Sequence, residues 1–228
     1  MHLENVIWKA LTTRQSHFAE GSNGARRFIR EVTLLSAFPK PNDEGYKALT
    51  RLVGPNGTAG VFLNKPYLQR SGWEFVAGAA LTQMIIENGH KPTAARSDLR
   101  IIELGDKDSP DMLELTTLTK PGPFGARTHE LGYYFGIRDQ GKLVAMAGER
   151  LKVPGYTELS AVCTHPDHLG KGYAAALMSE VMRGIRDRGE TPFLHVRSDN
   201  ARAISLYKRL GFQTRWQGHY AVLRRVGF

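Results

Sequence analysis

The chain has 228 residues, 41% of them hydrophobic and 23% charged, with a formal net charge of +9. This is the composition of a soluble globular protein with length for a sizeable core, and no apolar run reaches the roughly 20 residues that span a membrane. One cysteine excludes an internal disulfide and a cysteine-built zinc site; with an N-terminus that lacks a basic region and a long apolar run, it predicts a cytoplasmic protein.

In chain order, residues 2–18 carry a loose helical stripe of Val6, Ile7, Ala10, Leu11 and Phe18, with Asn5 as N-cap. Gly21 to Gly24 form a turn, and Glu44 to Val53 a short helix. Pro55-Asn56-Gly57 precedes a strand at Thr58 to Leu63. Trp73 to Ile86 fits strand and helix alike. Gly89 to Arg96 has linker composition, which places a boundary between an N-terminal lobe, 1–96, and a second domain, 97–228.

The pattern is sharper from residue 98. Asp98 to Leu104 is a short strand, and Ser109 caps a helix with Pro110 in its first turn. Alternating runs at 133–138, 143–153 and 157–164, joined by tight turns, make an antiparallel meander. Two glycines, Gly170 and Gly172, then open a helix with the stripe Ala174, Leu177, Met178, Val181, Met182, Ile185. A strand at 192–196, a helix at 201–210 ended by Gly211, and a closing hairpin (212–216 with 219–225, turning at Gln217-Gly218) complete the chain. The order β-α-β-β-β-α-β-α-β-β predicts a mixed α/β (α+β) sheet with one right-handed parallel crossover, preceded by a smaller, incomplete N-terminal α/β lobe.

The stretch Glu158 to Ala175 concentrates the chemistry. A glycine loop at a helix N-terminus offers unpaired N–H groups and a positive dipole end, which together bind phosphate. Alternation puts Glu158, Ser160, Val162 and Thr164 on one strand face, with Leu159, Ala161 and Cys163 on the other. Cys163 reads as a small core residue and His195 as a core histidine. His165, Asp167 and His168 lack a further strong ligand, so loop contacts are expected rather than a metal site. The basic residues are scattered, apart from Arg26-Arg27, Arg183 to Arg188 and Arg224-Arg225, so nucleic acid is not an expected partner.

Leu169-Gly170-Lys171-Gly172-Tyr173-Ala174 is similar to the Arg/Gln-x-x-Gly-x-Gly/Ala pyrophosphate signature of the GNAT superfamily of N-acetyltransferases. Asn200-Ala201-Arg202-Ala203-Ile204-Ser205-Leu206-Tyr207-Lys208-Arg209-Leu210-Gly211-Phe212 resembles that family's Asn-x-x-Ala-x-x-Leu-Tyr-x-x-x-Gly-Phe. The resemblance covers about 97–228. The first half resembles the N-terminal lobe of two-lobed members such as the glycine N-acyltransferase-like branch. It implies a GNAT-type fold, acetyl-CoA (coenzyme A) as cofactor, and transfer of acetyl to a primary amine of a small molecule or peptide by direct attack. Glu158, fourteen residues ahead of Gly172, takes the position of a catalytic base. Tyr207 takes that of the acid for the leaving thiolate, and Val162 offers a backbone N–H to the thioester carbonyl. Val162, Cys163 and Thr164 run along pantetheine, Leu169 to Ala174 surround the pyrophosphate, and Asn200 and Tyr207 complete the cofactor set. Arg127, His129, Tyr133 and Tyr134 border the acceptor pocket, and a homodimer is among the expected partners. Leu169 departs from the signature's Arg or Gln, and Lys171 offers compensating charge.

Two other readings compete. Gly170-x-Gly172-x-x-Ala175 also fits a dinucleotide fingerprint, with Asp199 near the place of a ribose-binding acid. Against it, five residues separate the strand from the glycines, and too little chain follows for a second nucleotide-binding half. The other is a non-catalytic module that binds acyl-CoA or nucleic acid.

Overall fold

Alternation in the strands and the 3.6-residue stripe in the long helix set the layers of the molecule. A computed structural model describes residues 3–86 and 98–227. The linker and lobe boundary read at Gly89 to Arg96 lie outside the described residues. In chain order the elements are α1 (Val6–Thr12), β1 (Ala19–Ser22), β2 (Ala25–Phe28), β3 (Ser36–Ala37), α2 (Asp43–Val53), β4 (Thr58–Leu63) and β5 (Trp73–Ile86). There follow β6 (Ile102–Leu104), α3 (Ser109–Thr119), β7 (Tyr134–Asp139), β8 (Lys142–Val153), β9 (Tyr156–Thr164), α4 (Tyr173–Asp187), β10 (Thr191–Arg197), α5 (Ala201–Arg209) and β11 (Phe212–Arg225). No helix among the described residues is long and apolar enough to cross a membrane.

Eight strands form one mixed sheet in the order β4-β11-β5-β10-β9-β8-β7-β6, and β1, β2 and β3 form a small second sheet. Among the described residues, β9 and β10 are the one pair of strands in the large sheet that run parallel, as the crossover through α4 requires. Leu177, Met178, Val181, Met182 and Ile185 of α4 are buried against Ala145, Ala147, Leu159 and Leu194. The opposite faces of the same strands meet α1 and α3: Leu151, Val153 and Phe193 pack with Ile7 and Leu11, and Met146 and Cys163 with Met112 and Leu115.

The C-terminal hairpin expected at 212–225 does not form. β11 is one strand, and β5 pairs with it antiparallel from Trp73–Arg225 to Ile86–Phe212. Gly218 does not turn the chain. It lies opposite Leu81, and a Cβ there would sit 2.0 Å from the Trp216 indole, so its smallness admits the ring. Trp73–Ile86, which fitted strand and helix equally, is strand throughout, between β10 and β11. Its run Ala79-Ala80-Leu81-Thr82-Gln83-Met84-Ile85-Ile86 lacks strict alternation because both faces are covered near its end. The expected division at 96/97 is therefore not a division of the sheet. Strands β4 and β5 come from the first segment and complete a sheet begun by the second.

Candidate active site

β9 and β10 pair only as far as Leu159–Leu194. Beyond that, β9 runs on to Thr164 while β10 turns its other edge to β5, pairing up to Arg197–Leu81. The two parallel strands separate and a cleft opens between them. A bulge helps to aim β9. Ser160 stands opposite Gly148 and Cys163 opposite Met146, so β9 carries one extra residue there, and Ala161 has φ +52°. The bulge corrects the expected alternation. Cys163 returns to the face that holds Ser160 and packs with Met112 and Leu115, whereas Val162 packs on the α4 side.

The cleft has two continuous parts. One, of about 430 Å³, lies at the N-terminus of α4 and is lined by Val162 to Thr164, Leu169, Gly170, Gly172 to Ala175, Asn200, Tyr207 and three cationic or basic side chains, His168, Arg202 and Arg209. Gly170 and Gly172 both have φ +81°, the left-handed region where glycine avoids the Cβ penalty. Their turn leaves the first N–H groups of a fifteen-residue helix facing the cleft. Leu169, the residue that departs from the signature, is half-exposed on this wall. Lys171 stands 6.0 Å from the Tyr173 ring centroid. Asn200 caps α5 by accepting from the Ala203 N–H at 3.1 Å. Every residue expected around the cofactor lines this part except Lys171, whose neighbours on both sides do.

The other part, of about 460 Å³, shares Val162, Cys163, Thr164, Asn200, Ala203 and Tyr207 with the first and extends over β5, β10 and the loop after α3. Arg150, His195 and Tyr220 line it. Tyr207, common to both parts, is nearly buried, and burial pushes its phenol up to about 12, so it carries its proton at neutral pH. Burial likewise pushes the Cys163 thiol up to about 11, which keeps it from serving as a thiolate nucleophile.

Glu158 is not where a base must be. It is fully buried, and its two oxygens accept four hydrogen bonds: from Arg150 Nε at 2.9 Å, Arg150 Nη2 at 2.7 Å, His195 Nδ1 at 2.7 Å and the Leu151 N–H at 3.3 Å. Burial alone would raise its pKa, but Arg150 and His195 outweigh burial and hold it down at about 2. A carboxylate this well paired accepts a proton poorly and reaches the cleft only through its partners. The expected direct role of Glu158 is corrected on that ground. Of its partners, Arg150 lies across the β8–β9 hairpin, whereas His195 comes from β10, beyond the α4 crossover.

His195 is fixed from its other side. Arg215 Nη1 donates to Gln83 Oε1 at 2.8 Å, which turns the Gln83 amide nitrogen toward His195 Nε2, 3.0 Å away. Nε2 therefore accepts, and the ring hydrogen sits on Nδ1, pointing at Glu158. Arg215, Gln83, His195, Glu158 and Arg150 form one hydrogen-bonded chain across five strands.

The residues expected to border the acceptor stand elsewhere. Arg127 pairs with Glu130 at 2.6 Å, and His129 with Asp106 at 2.9 Å. Tyr133 is half-exposed between Lys152 and Arg188, 5.8 and 5.2 Å from its ring centroid. Tyr134 is buried, and desolvation raises its phenol pKa strongly. None of the four lines either part of the cleft, because β7 is two strands away from the gap between β9 and β10. In the glycine-loop region, His168 pairs with Asp139 at 2.9 Å and His165 Nδ1 accepts from the Asp167 N–H at 3.2 Å. Asp199 pairs with Arg197 at 2.7 Å.

Sequence reasoning missed Arg150, Gln83 and Tyr220. Arg150 had a usable signal. It lies in the strand run Leu143-Val144-Ala145-Met146-Ala147-Gly148-Glu149-Arg150-Leu151, where a charge demands a partner. Gln83 and Tyr220 had none short of the β5–β11 pairing.

The FR47-like protein family matches residues 134–221, from β7 to late β11. The N-alpha-acetyltransferase RimI of Mycobacterium tuberculosis is 35% identical over 100 residues, covering 41% of this chain and 62% of that protein. An uncharacterized N-acetyltransferase of Bacillus subtilis, YobR, is 30% identical over 92 residues, 40% of this chain and 37% of its own length. The chain thus spans less than two thirds of these curated relatives. The crystal structure of a GNAT-family protein from Novosphingobium aromaticivorans superimposes with a TM-score of 0.90, 33% identity and full coverage of both chains. With that agreement over its whole length, including the strands supplied by the first segment, this chain belongs to the GNAT family.

Proposed function

We propose that this protein transfers an acetyl group from acetyl-CoA to a primary amine within a ternary complex. The observation that carries the reading is the gap between β9 and β10, which joins a glycine-turned helix N-terminus to a second chamber through the shared residues Val162 to Thr164, Asn200 and Tyr207. The residues present fit acetyl-CoA. The α4 N–H groups suit a pyrophosphate. Arg202 and Arg209 suit its further phosphate, and the edge of β9 freed past Leu159 suits the amides of pantetheine.

Acetyl-CoA would supply an acetyl group activated as a thioester. The protein's part is to hold both reactants in line, which removes much of the entropic barrier. The Val162 N–H, carried past the bulge at Ala161, is the donor assigned to the carbonyl oxygen, a contribution of order 3 kcal/mol in such sites. Tyr207 donates a hydrogen bond to the departing sulfur. Full proton transfer from a phenol held near 12 to a thiolate of ordinary pKa ~8.5 is uphill by roughly 5 kcal/mol, so the hydrogen bond and not the transfer is its contribution. Glu158 acts as a positioning residue, orienting Arg150 and His195 on the chamber floor.

Calorimetric titration with acetyl-CoA and a thiol-release assay over amines test the reading; absence of acetyl-CoA binding would sink it. Tyr207→Phe is expected to lower kcat by roughly ten- to a hundredfold, the worth of a hydrogen bond to a charged group, with little change in acetyl-CoA affinity. An unaltered kcat would assign Tyr207 to packing alone.

A further inference from the structure

We infer that the acceptor is a small amine bearing its own carboxylate, of the α-amino-acid type, and that Arg150 and Tyr220 bind that carboxylate on the floor of the second chamber. The inference rests on the acetyl-transfer reading above and names the substrate class of the same site.

The Tyr220 hydroxyl is buried without a hydrogen-bond partner, although the side chain lines the chamber. A buried hydroxyl left unpaired is destabilising, so an orphan on a cavity wall marks a place for a ligand acceptor. Its place is shaped for it. Gly60 lies alongside, and a Cβ there would come within 2.9 Å of the Tyr220 oxygen. Arg150 is the nearby cation, close enough to lower the Tyr220 phenol against the larger upward push of burial. Glu158 engages Arg150 through Nε and Nη2, and the Arg150 residue also lines the chamber. A guanidinium and a phenol that line one chamber are two donors for one carboxylate.

The remaining lining charges agree. Among the described residues that line the chamber there is no Asp or Glu. Arg197 is paired with Asp199, and Lys120 stands exposed at the loop after α3. A polyamine or aminoglycoside would bring several positive charges to a wall with no anion to meet them. An amino acid brings one negative charge to Arg150, whose own charge Glu158 already balances, so a monoanion suits the floor better than a phosphate dianion.

The test is steady-state thiol release with acetyl-CoA for glycine and a panel of L-amino acids, each beside its α-carboxamide, with spermidine, kanamycin and O-phosphoethanolamine as further arms. The expected result is a kcat/KM at least roughly tenfold higher for the preferred acid than for its amide, with Tyr220→Phe shrinking that ratio through KM. Equal rates for acid and amide, preference for spermidine or kanamycin, preference for the phosphate, or no transfer to any acid while acetyl-CoA binds would each overturn the inference. Loss of acetyl-CoA binding by the unaltered protein would instead remove the acetyl-transfer reading beneath it.

Discussion

Glu158→Gln is expected to lower the free energy of unfolding by about 3–5 kcal/mol, the range for removing one partner of a buried ion pair. The loss arises on the partners' side. Arg150, itself buried, would keep its charge with no carboxylate, and His195 Nδ1–H would meet a neutral amide. Urea unfolding at neutral pH measures it; a change below about 1 kcal/mol would show that the pair is not sealed as described. Replacing both ends, Glu158→Leu with Arg150→Met, should recover much of the loss, since an apolar pair of similar volume avoids the desolvation cost. The pair also gives a pH signature. A carboxyl held near 2 when folded, against an ordinary ~4.5 when unfolded, contributes stability that is complete above the unfolded value. That contribution, about 3 kcal/mol, drains away as pH falls from about 4.5 toward 2. The unaltered protein should lose stability over that window more steeply than the Gln variant. Parallel pH profiles would contradict the assignment.

Gly172→Val should weaken acetyl-CoA binding by more than tenfold while leaving most of the fold intact. Gly172 caps α4 with φ +81° and ψ 4°, and a β-branched residue there carries strain of roughly 1–3 kcal/mol. Relief of that strain would rotate the first peptide of α4, and with it the N–H groups that face the cleft. Gly170→Ala is the matched control. Gly170 has the same φ, but an added Cβ would meet nothing within 4 Å, so that variant reports strain without obstruction. Calorimetry with acetyl-CoA and thermal unfolding separate the two effects. Unchanged affinity in Gly172→Val would move the pyrophosphate away from this helix end.

Local signals carried the sequence reading a long way. The stripe on α4, the short turns of the meander and the paired glycines each specify structure within a few residues, and they located the sheet's centre and the glycine-turned helix end beside the cleft. What they could not specify is pairing between distant strands. Gln217-Gly218 looks like a turn because glycine usually relieves φ, whereas here it makes room for Trp216. Glu158 looks available because an isolated carboxylate on a strand is usually solvated. Its burial follows from Arg150 on one neighbouring strand and His195 on the other. The family resemblance puts Tyr134 beside the acceptor, but its strand turns it into the cluster around Met112 and Leu115. Tyr220 was invisible for the same reason as the hairpin: its surroundings exist only once β11 lies between β4 and β5.

That placement of β11 also sets an order of events at the ribosome. Residues 73–86 are synthesised long before residues 212–225, yet each is the other's neighbour along almost the whole strand. Until the late strand emerges, β4 and β5 have no partner from β11, and the edge of β5 that β11 will cover is open to other chains. Closing the sheet late, across so much intervening sequence, makes this a slow assembly by loop-closure entropy and one that benefits from a chaperone while the C-terminal strand is being made.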